Sequence, residues 1–273
     1  MLSALAAILA VGLICVFLFA GGIPAMGKIG IPQFLLGRQW SPNDIPPSFG
    51  IFPMIIGSLY VTAGAILCGA PVGVFAAVFM AKVCPKLLYK LLKPAIELLA
   101  GIPSVVYGFF GMVVLVPLVS RFFGGNGSSI LTASLLLGIM ILPTIIGITE
   151  SALRAVPEEL YEGAVALGAS HERAVFHVIL PAAKSGVMAA VVLGVGRAIG
   201  ETMAVKMVAG NQALVRMPGE FLKGVRTLTA NVVIEMGYAE GLHRESLIAT
   251  GIVLFVFILV INLCFSMLER NRE

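Results

Sequence analysis

The sequence predicts an all-α, polytopic membrane protein with six transmembrane helices. The 273 residues are 59% apolar and only 12% charged, whereas soluble domains carry about 25% charged residues. The mean hydropathy is +1.04, and the apolar residues form continuous runs near the length of about 20 residues that a spanning helix needs. A membrane β-barrel would instead show short alternating segments. We therefore interpret residues 1–273 as a single transmembrane domain, with one longer polar loop at about 151–184.

Six apolar segments are long enough to cross a bilayer. They lie at about 2–20, 49–82, 94–123, 130–149, 185–209 and 247–268. The first could also be a cleaved signal peptide, but it lacks a basic start and its apolar run is longer than a signal core. We therefore expect a retained first helix.

The basic residues of the loops predict the orientation. Lys82, Lys86, Lys90 and Lys93 lie together between the second and third segments, which indicates a cytoplasmic loop by the positive-inside rule. Alternation then places residues 154–184, the tail 269–273 and both termini in the cytoplasm. Residues 21–48, 124–129 and 210–246 are expected on the outer side of a plasma membrane.

Several functional classes find no support in the sequence. No basic stripe with interleaved aromatic residues predicts a nucleic-acid partner, and the four cysteines lack the spacing of metal ligands. No phosphate-binding Gly-x-x-x-x-Gly-Lys-Ser/Thr loop occurs, so we do not expect the chain to hydrolyse ATP itself. We predict no catalytic residues, no metal and no cofactor.

The loop at 151–184 carries the signals of two short amphipathic helices. Pro157 suits a first helical turn, Gly168 a C-terminal stop, and Ser170 the cap of a second helix that Pro181 ends. The predicted apolar faces comprise Leu160, Ala164 and Leu167 in the first helix and Ala174, Val175, Val178 and Ile179 in the second. Such faces require a partner, which is either another protein or the membrane surface.

The spacing in this loop resembles the signature of ABC importer permeases. The matching residues are Glu162-Gly163-Ala164, then Gly168, then Val178-Ile179-Leu180-Pro181. Gly163 stands where the signature has alanine and Val178 where it has isoleucine, while the register is intact. The resemblance implies that these are coupling helices, which dock on an ATP-hydrolysing subunit, with Glu162, Gly163, Ala164, Gly168, Leu180 and Pro181 as the coupling residues.

Two further stretches resemble the permeases of the phosphate-specific importer. They are Gly101-Ile102-Pro103-Ser104-Val105-Val106-Tyr107-Gly108 and Gly196-Arg197-Ala198-Ile199-Gly200-Glu201-Thr202-Met203-Ala204-Val205. The continuation of the second is similar to the PstC type. The resemblance implies a bacterial or archaeal plasma membrane, with inorganic phosphate as substrate and membrane lipid around the helices. It also implies a second homologous permease of the PstA type, two ATP-binding subunits and an extracytoplasmic phosphate-binding protein.

Arg197 and Glu201 are charged residues within the fifth apolar segment. A charge at the bilayer centre costs at least about 2.5–3.5 kcal/mol, and residues four apart share a helix face, so we predict that the two pair. Gly196 and Gly200 predict close approach of another helix. The pair is either a structural lock or a station on the anion path, and the resemblance places Arg197, Glu201 and Thr202 on that path.

Other functions are compatible with the same residues. Permeases for sulfate or molybdate share the loop signature, and an ion-coupled secondary transporter could use Arg197 and Glu201 as a relay. Further charged residues are predicted at less specific positions: Glu97 and Glu150 at the cytoplasmic interface, and Arg121, Arg216, Lys223 and Arg226 in solvent outside. The four outer residues could also contact a delivery protein.

Overall fold

The computed structural model of the chain describes residues 2–270, with side chains for residues 3–264 and 267. The last residues of the predicted cytoplasmic tail, 271–273, lie outside the described residues. Within the described part the structure is almost entirely helical, and one two-stranded hairpin pairs Trp40 with Phe49 and Ser41 with Ser48.

Residues 2–270 form fourteen helices and two strands. In chain order they are α1 Leu2–Ile29, α2 Ile31–Leu36, β1 Trp40–Ser41, β2 Ser48–Phe49, α3 Phe52–Val78, α4 Lys86–Gly101, α5 Ser104–Phe110, α6 Val116–Phe123, α7 Ile130–Ala155, α8 Glu158–Ala166, α9 His171–Ala174, α10 Leu180–Ala182, α11 Lys184–Gly200, α12 Met203–Val208, α13 Leu228–Glu235 and α14 Gly241–Arg270. Wider π-helical turns continue α3 at Phe79–Val83, α5 at Gly111–Leu115 and α9 at Val175–Ile179.

Among the described residues, five helical segments are long and apolar enough to span a membrane by themselves. They are Ser3–Ile29, Phe52–Val83, Ser104–Phe123, Ile130–Ala155 and Gly241–Cys264. A sixth consists of His171–Ala182 followed by Lys184–Gly200, which meet at a bend of 69°. The predicted all-α fold is therefore confirmed, with six spans when the bent pair counts as one. The observed limits of the first, third and fifth spans differ clearly from the predicted ones.

The third span begins at Ser104 rather than at residue 94. Ile102 has an extended backbone (φ −68°, ψ 127°), because a residue that precedes proline is disfavoured in the α region. Pro103 is the cap residue directly before α5, and residues 94–101 belong to the separate helix α4. This helix is amphipathic, and none of its residues is buried in the chain.

The fifth span ends at Gly200 rather than at residue 209. Glu201 leaves the helix with an extended backbone (φ −70°, ψ 124°), directly after a glycine, which is a weak helix former. The first span is longer than predicted, because α1 continues beyond residue 20 to Ile29. Its added part packs on α14, where a Cβ on Gly22 would lie 2.9 Å from Ala249 Cα.

The centre of the structure is the contact between α3 and α7. Glycines of α3 allow the two backbones to approach: a Cβ on Gly69 would lie 2.7 Å from the carbonyl oxygen of Gly138, and one on Gly73 would lie 2.8 Å from Ile145. Leu136 and Ile141 of α7 are fully buried there. Such small-residue contacts are the usual way in which membrane helices pack closely.

Two further clusters mark the two ends of the bundle. At the end that carries residues 84–103 and 156–183, called the loop end, Met80, Leu153 and Ile179 are buried together. At the opposite end, called the far end, Phe34 and Trp40 are buried with Leu247. The charged residues that are candidates for function lie at these two ends and near the bend that follows α11.

Candidate functional site

The loop 156–183 contains the predicted pair of short helices. Gly168 has φ +88°, a left-handed conformation that glycine adopts without strain, and α8 stops just before it. Ser170 caps the second helix, because its Oγ accepts a hydrogen bond from the backbone N–H of Arg173 at 3.4 Å. The predicted turn and the predicted cap are both present.

The second helix ends one residue after the predicted end at Pro181. The helix runs from His171 through a π-helical turn to Ala182, and the break follows at Ala183 (φ −87°, ψ 8°). After the π-helical turn, Pro181 occupies the first turn of α10, where a proline needs no backbone N–H. The chain then bends by 69° into α11.

The two predicted apolar faces of this loop differ in exposure. In the second helix, Ala174, Val175 and Ile179 are buried against the chain itself, so that face needs no external partner. In the first helix, Leu160 is 44% exposed and Leu167 91% exposed. An open groove of about 440 Å³ runs beside them.

Two of the six predicted coupling residues line this groove. Gly163 and Ala164 line it together with Leu160, Leu167, Arg173, His177 and Val178. Glu162 and Pro181 are exposed and Leu180 is half-buried. The loop thus presents α8 and the turn at Gly168 as an unfilled apolar surface with polar edges.

Arg197 is half-buried in α11, and its Nη1 donates a hydrogen bond to Thr144 Oγ1 of α7 at 3.1 Å. The predicted pair with Glu201 is wrong: in the described part of the chain the two form no ion pair. Glu201 lies beyond the end of α11, where the four-residue helical spacing no longer applies. Its Oε1 instead accepts from the backbone N–H of Ala204 at 3.2 Å and caps α12.

Hydrogen bonds from two threonine hydroxyls to backbone carbonyls hold the break between α11 and α12. Thr202 Oγ1 donates to the carbonyl oxygen of Gly200 at 3.2 Å, and Thr229 Oγ1 donates to that of Glu201 at 3.4 Å. Thr202 and Glu201 are close to Arg197 in sequence, but their side-chain oxygens form hydrogen bonds with the backbone at the bend.

The glycines beside Arg197 face open space. A Cβ added to Gly196 or Gly200 of α11, or to Gly147 of α7, would have no atom of the described chain within 4 Å apart from its own turn of helix. The predicted close helix approach at Gly196 and Gly200 is therefore wrong within this chain. Thr144 and Gly147, which share a face of α7, extend the same uncovered region, called the open face.

We predict that Arg197 and Glu201 contribute independently to stability. A double-mutant cycle of Arg197→Gln and Glu201→Gln should give a coupling energy within about 0.5 kcal/mol of zero, as for residues without contact. The measurement is thermal unfolding of the purified subunit in detergent. As the control, a second double-mutant cycle combines Arg197→Gln with Thr144→Val. This pair should show a measurable coupling energy, because the two side chains share a hydrogen bond. A larger coupling for the glutamate than for the threonine would contradict the observed geometry.

Glu150 lies near the loop end of α7, where the sequence predicts a position at the cytoplasmic interface, and it is only 2% exposed because other residues of the chain surround it. Its carboxylate accepts from Tyr89 Oη at 2.7 Å, Lys93 Nζ at 2.8 Å and Arg154 Nε at 2.8 Å. The hydrogen bonds to this carboxylate raise the pKa of Tyr89 and the pKa of Lys93. Glu97, by contrast, is exposed on α4.

Arg226 at the far end is bound rather than solvated. Its Nη1 donates to Glu235 Oε1 at 2.6 Å and to Asn231 Oδ1 at 3.0 Å. Glu235, which the sequence did not predict as a functional residue, also accepts from Trp40 Nε1 at 2.8 Å and is 2.8 Å from His243 Nε2. The one sequence signal that could have pointed to Glu235 is its position as an acidic residue at the end of a short apolar helix.

The other basic side chains at the far end differ in their exposure to solvent. Arg216 Nε donates to the carbonyl oxygen of Gly224 at 2.8 Å, so the expectation of a solvated side chain is wrong for it as well. Arg121 and Lys223 are exposed, as predicted. Within residues 2–270, no group of three His, Cys, Asp or Glu side chains has the arrangement of a metal site.

Comparison with known sequences identifies similar proteins. The family described as "Binding-protein-dependent transport system inner membrane component" matches residues 69–273. A probable ABC transporter permease protein, YqgH of Bacillus subtilis, is 40% identical over 265 residues, which cover 95% of this chain and 85% of the relative. The phosphate transport system permease protein PstC of Mesorhizobium japonicum is 34% identical, covering 98% of this chain and 87% of its own length.

Comparison with solved structures shows the same fold. The chain is similar to a subunit of the MetNI methionine ABC transporter in an inward-facing conformation, with a TM-score of 0.64 and 19% identity. The match covers 81% of this chain and 97% of that one. An amino acid ABC transporter gives a TM-score of 0.57 at 22% identity, over 80% of this chain and 94% of the other.

Proposed function

The chain belongs to the family of binding-protein-dependent transport system inner membrane components, and from this premise we propose that it is the phosphate permease subunit of an ATP-driven importer. All of residues 1–273 would act as one permease domain. Relatives named as PstC support phosphate as the substrate, since one of them covers 98% of this chain at 34% identity. The fold agrees with permeases of ABC importers, although their substrates differ.

The observation that carries the proposal is the unused guanidinium of Arg197. In the described part of the chain only its Nη1 has a hydrogen-bond partner, which leaves Nε and Nη2 free. A planar guanidinium fits two oxygens of a phosphate at once, and Arg197 lies beside the open face of α7 and α11. We infer that phosphate contacts this fork as it passes.

The open face also supports a second permease subunit as partner. Gly147, Gly196 and Gly200 have no neighbour within this chain, and a half-buried arginine beside them is costly against lipid. A homologous subunit of the PstA type would cover this face and enclose the path between the two chains. Glu201 and Thr202 would set the bend at which the path widens or closes.

The groove of the loop 156–183 supports coupling to ATP-hydrolysing subunits. Two such subunits would bind on the cytoplasmic side, one of them against α8 and Gly168. Closure of these subunits on ATP would move the loop and turn the bundle toward the outside. An extracytoplasmic phosphate-binding protein would then deliver phosphate at the far end.

The lysine-rich segment around Lys82–Lys93 supports this orientation in a bacterial or archaeal plasma membrane. It lies at the loop end, between α3 and α4, and basic residues favour the cytoplasmic side. Both termini would then be cytoplasmic.

The test is transport by the assembled complex. The chain is coexpressed with the genes of its candidate partners, purified through a tag on this subunit and reconstituted into vesicles. We expect ATP-dependent phosphate uptake that requires the binding protein. Sulfate and molybdate should compete weakly. Uptake that needs no ATPase subunit and follows an ion gradient would contradict the proposal, as would preferential uptake of another oxyanion.

A further inference from the structure

Glu150 joins three side chains at the loop end through one buried carboxylate. Tyr89 and Lys93 come from α4, and Arg154 comes from the last turn of α7. The guanidinium of Arg154 also lies over the ring of Tyr89, 4.8 Å from its centroid. Helix α4 therefore contacts α7 through polar groups of fixed geometry.

Arg154 extends the connection to the end of α3. The π-helical turn Phe79–Val83 directs the N–H of Cys84 to the carbonyl oxygen of Phe79 at 2.8 Å, whereas an α-helix would direct it to that of Met80. The Met80 carbonyl instead accepts from Arg154 Nη2 at 3.1 Å. The ends of the second and fourth spans and helix α4 thus meet at Glu150 and Arg154.

This cluster lies at the stem of the loop 156–183. Helix α7 ends at Ala155, directly after Arg154, and Val156 turns the chain with an extended backbone (ψ 129°). Val156 is buried with Val175 and Ile179 of the second loop helix. A displacement of the loop therefore acts directly on the residues that Glu150 holds.

The polar cluster is poorly explained by stability alone. Burial of a carboxylate is costly, and replacement of buried ion pairs by apolar residues is often neutral or stabilising. Apolar contacts, however, slide more freely than hydrogen bonds to a carboxylate, which fix direction as well as distance. A fixed connection matters most where a force must pass between elements.

We propose that Glu150 is a positioning residue for energy coupling. By holding Lys93 and Arg154, it makes the ends of α3 and α7 and helix α4 move as one body with the loop. The inference rests on the proposed function, because it assumes that ATP-hydrolysing subunits act on this loop. Without Glu150, ATP hydrolysis continues while the stem bends and the spans follow incompletely.

The experiment measures coupling in the reconstituted complex. For each variant, phosphate uptake and ATP hydrolysis are recorded, with and without the binding protein. Glu150→Gln should raise the ATP hydrolysed per phosphate about tenfold, a size typical of coupling between sites. It should also reduce the stimulation of ATP hydrolysis by the binding protein. Lys93→Met should give a smaller change in the same direction.

Matched variants separate this role from a loss of stability. Lys90→Met removes an exposed cation of the same helix and should behave as the original protein, as should Glu97→Gln. If Glu150→Gln does not assemble, Lys93→Met and Tyr89→Phe decide, since each removes one donor. Equal losses of uptake and hydrolysis, with the ratio and the stimulation unchanged, would overturn the proposal.

The result is distinguishable from a failure of the proposed function. A wild-type complex that hydrolyses ATP but moves no phosphate would contradict the substrate assignment. The stimulation of ATP hydrolysis by the binding protein still reports on Glu150 in that case. Loss of stimulation in Glu150→Gln but not in Glu97→Gln would support the positioning role independently of the substrate.

Discussion

Replacement of Arg197 by glutamine is expected to reduce ATP-driven phosphate uptake by about 100-fold while the complex still assembles. Loss of a charged, hydrogen-bonded partner of an anion costs about 2–5 kcal/mol, and 100-fold corresponds to about 2.8 kcal/mol. Assembly should survive because Arg197 has only the one hydrogen bond to Thr144 in the described chain. The measurement is initial uptake in vesicles that contain equal amounts of complex.

Three control variants sharpen this result. Arg197→Lys should retain part of the activity, because a point charge remains while the bidentate fork is lost. Thr144→Val should have a milder effect, since it frees the guanidinium without removing it. Arg121→Gln removes an exposed arginine of α6 and should leave uptake unchanged. If Arg197→Gln prevents assembly with the partner subunits, Arg197 is a structural residue instead.

The second large effect is expected for Gly168→Asp, which should lower uptake by more than about 100-fold with normal insertion in the membrane. Gly168 has φ +88° and open space around it, so the isolated chain has room for a side chain. In the complex the carboxylate would be buried against a partner, and an unpaired buried charge costs about 3–5 kcal/mol. The measurement is uptake together with ATPase subunits retained on the tagged chain.

Backbone strain and charge are separated by two further variants. Gly168→Asn keeps a residue that tolerates the left-handed conformation without a charge, and it should retain much more activity than the aspartate variant. Gly219→Asp places the same change at a glycine with φ +103° and open space at the far end. It should transport normally. Full uptake in Gly168→Asp would show that no partner covers this turn.

Sequence signals that depend on neighbouring residues correctly predicted the turn and the helix cap of the loop 156–183. The stop at Gly168 and the cap at Ser170 each depend on contacts within four residues, which a sequence displays directly. The predicted end at Pro181 lies one residue before the observed end, whereas the π-helical turn ahead of it was not predicted. The number of spans was predictable because length and hydropathy determine it.

Signals that depend on tertiary contacts were missed. Glu150 is bound by residues 57 and 61 positions away, and Glu235 by Trp40, 195 positions away. No spacing rule connects such residues. The predicted pair of Arg197 and Glu201 failed for a different reason: helical geometry was continued through Gly200, where the chain leaves the helix. The backbone break, rather than the charges, determined which groups could meet.

The position of Trp40 gives the isolated subunit an optical reporter of its own. Trp40 is the only tryptophan in the chain, it is 8% exposed, and its indole N–H is bonded to Glu235. Its ring also contacts those of Phe49 and His243 edge to face. Its fluorescence emission spectrum therefore reports the hydration around Trp40, without any added label. A red shift would signal that water has reached the carboxylate that joins Trp40 to Arg226.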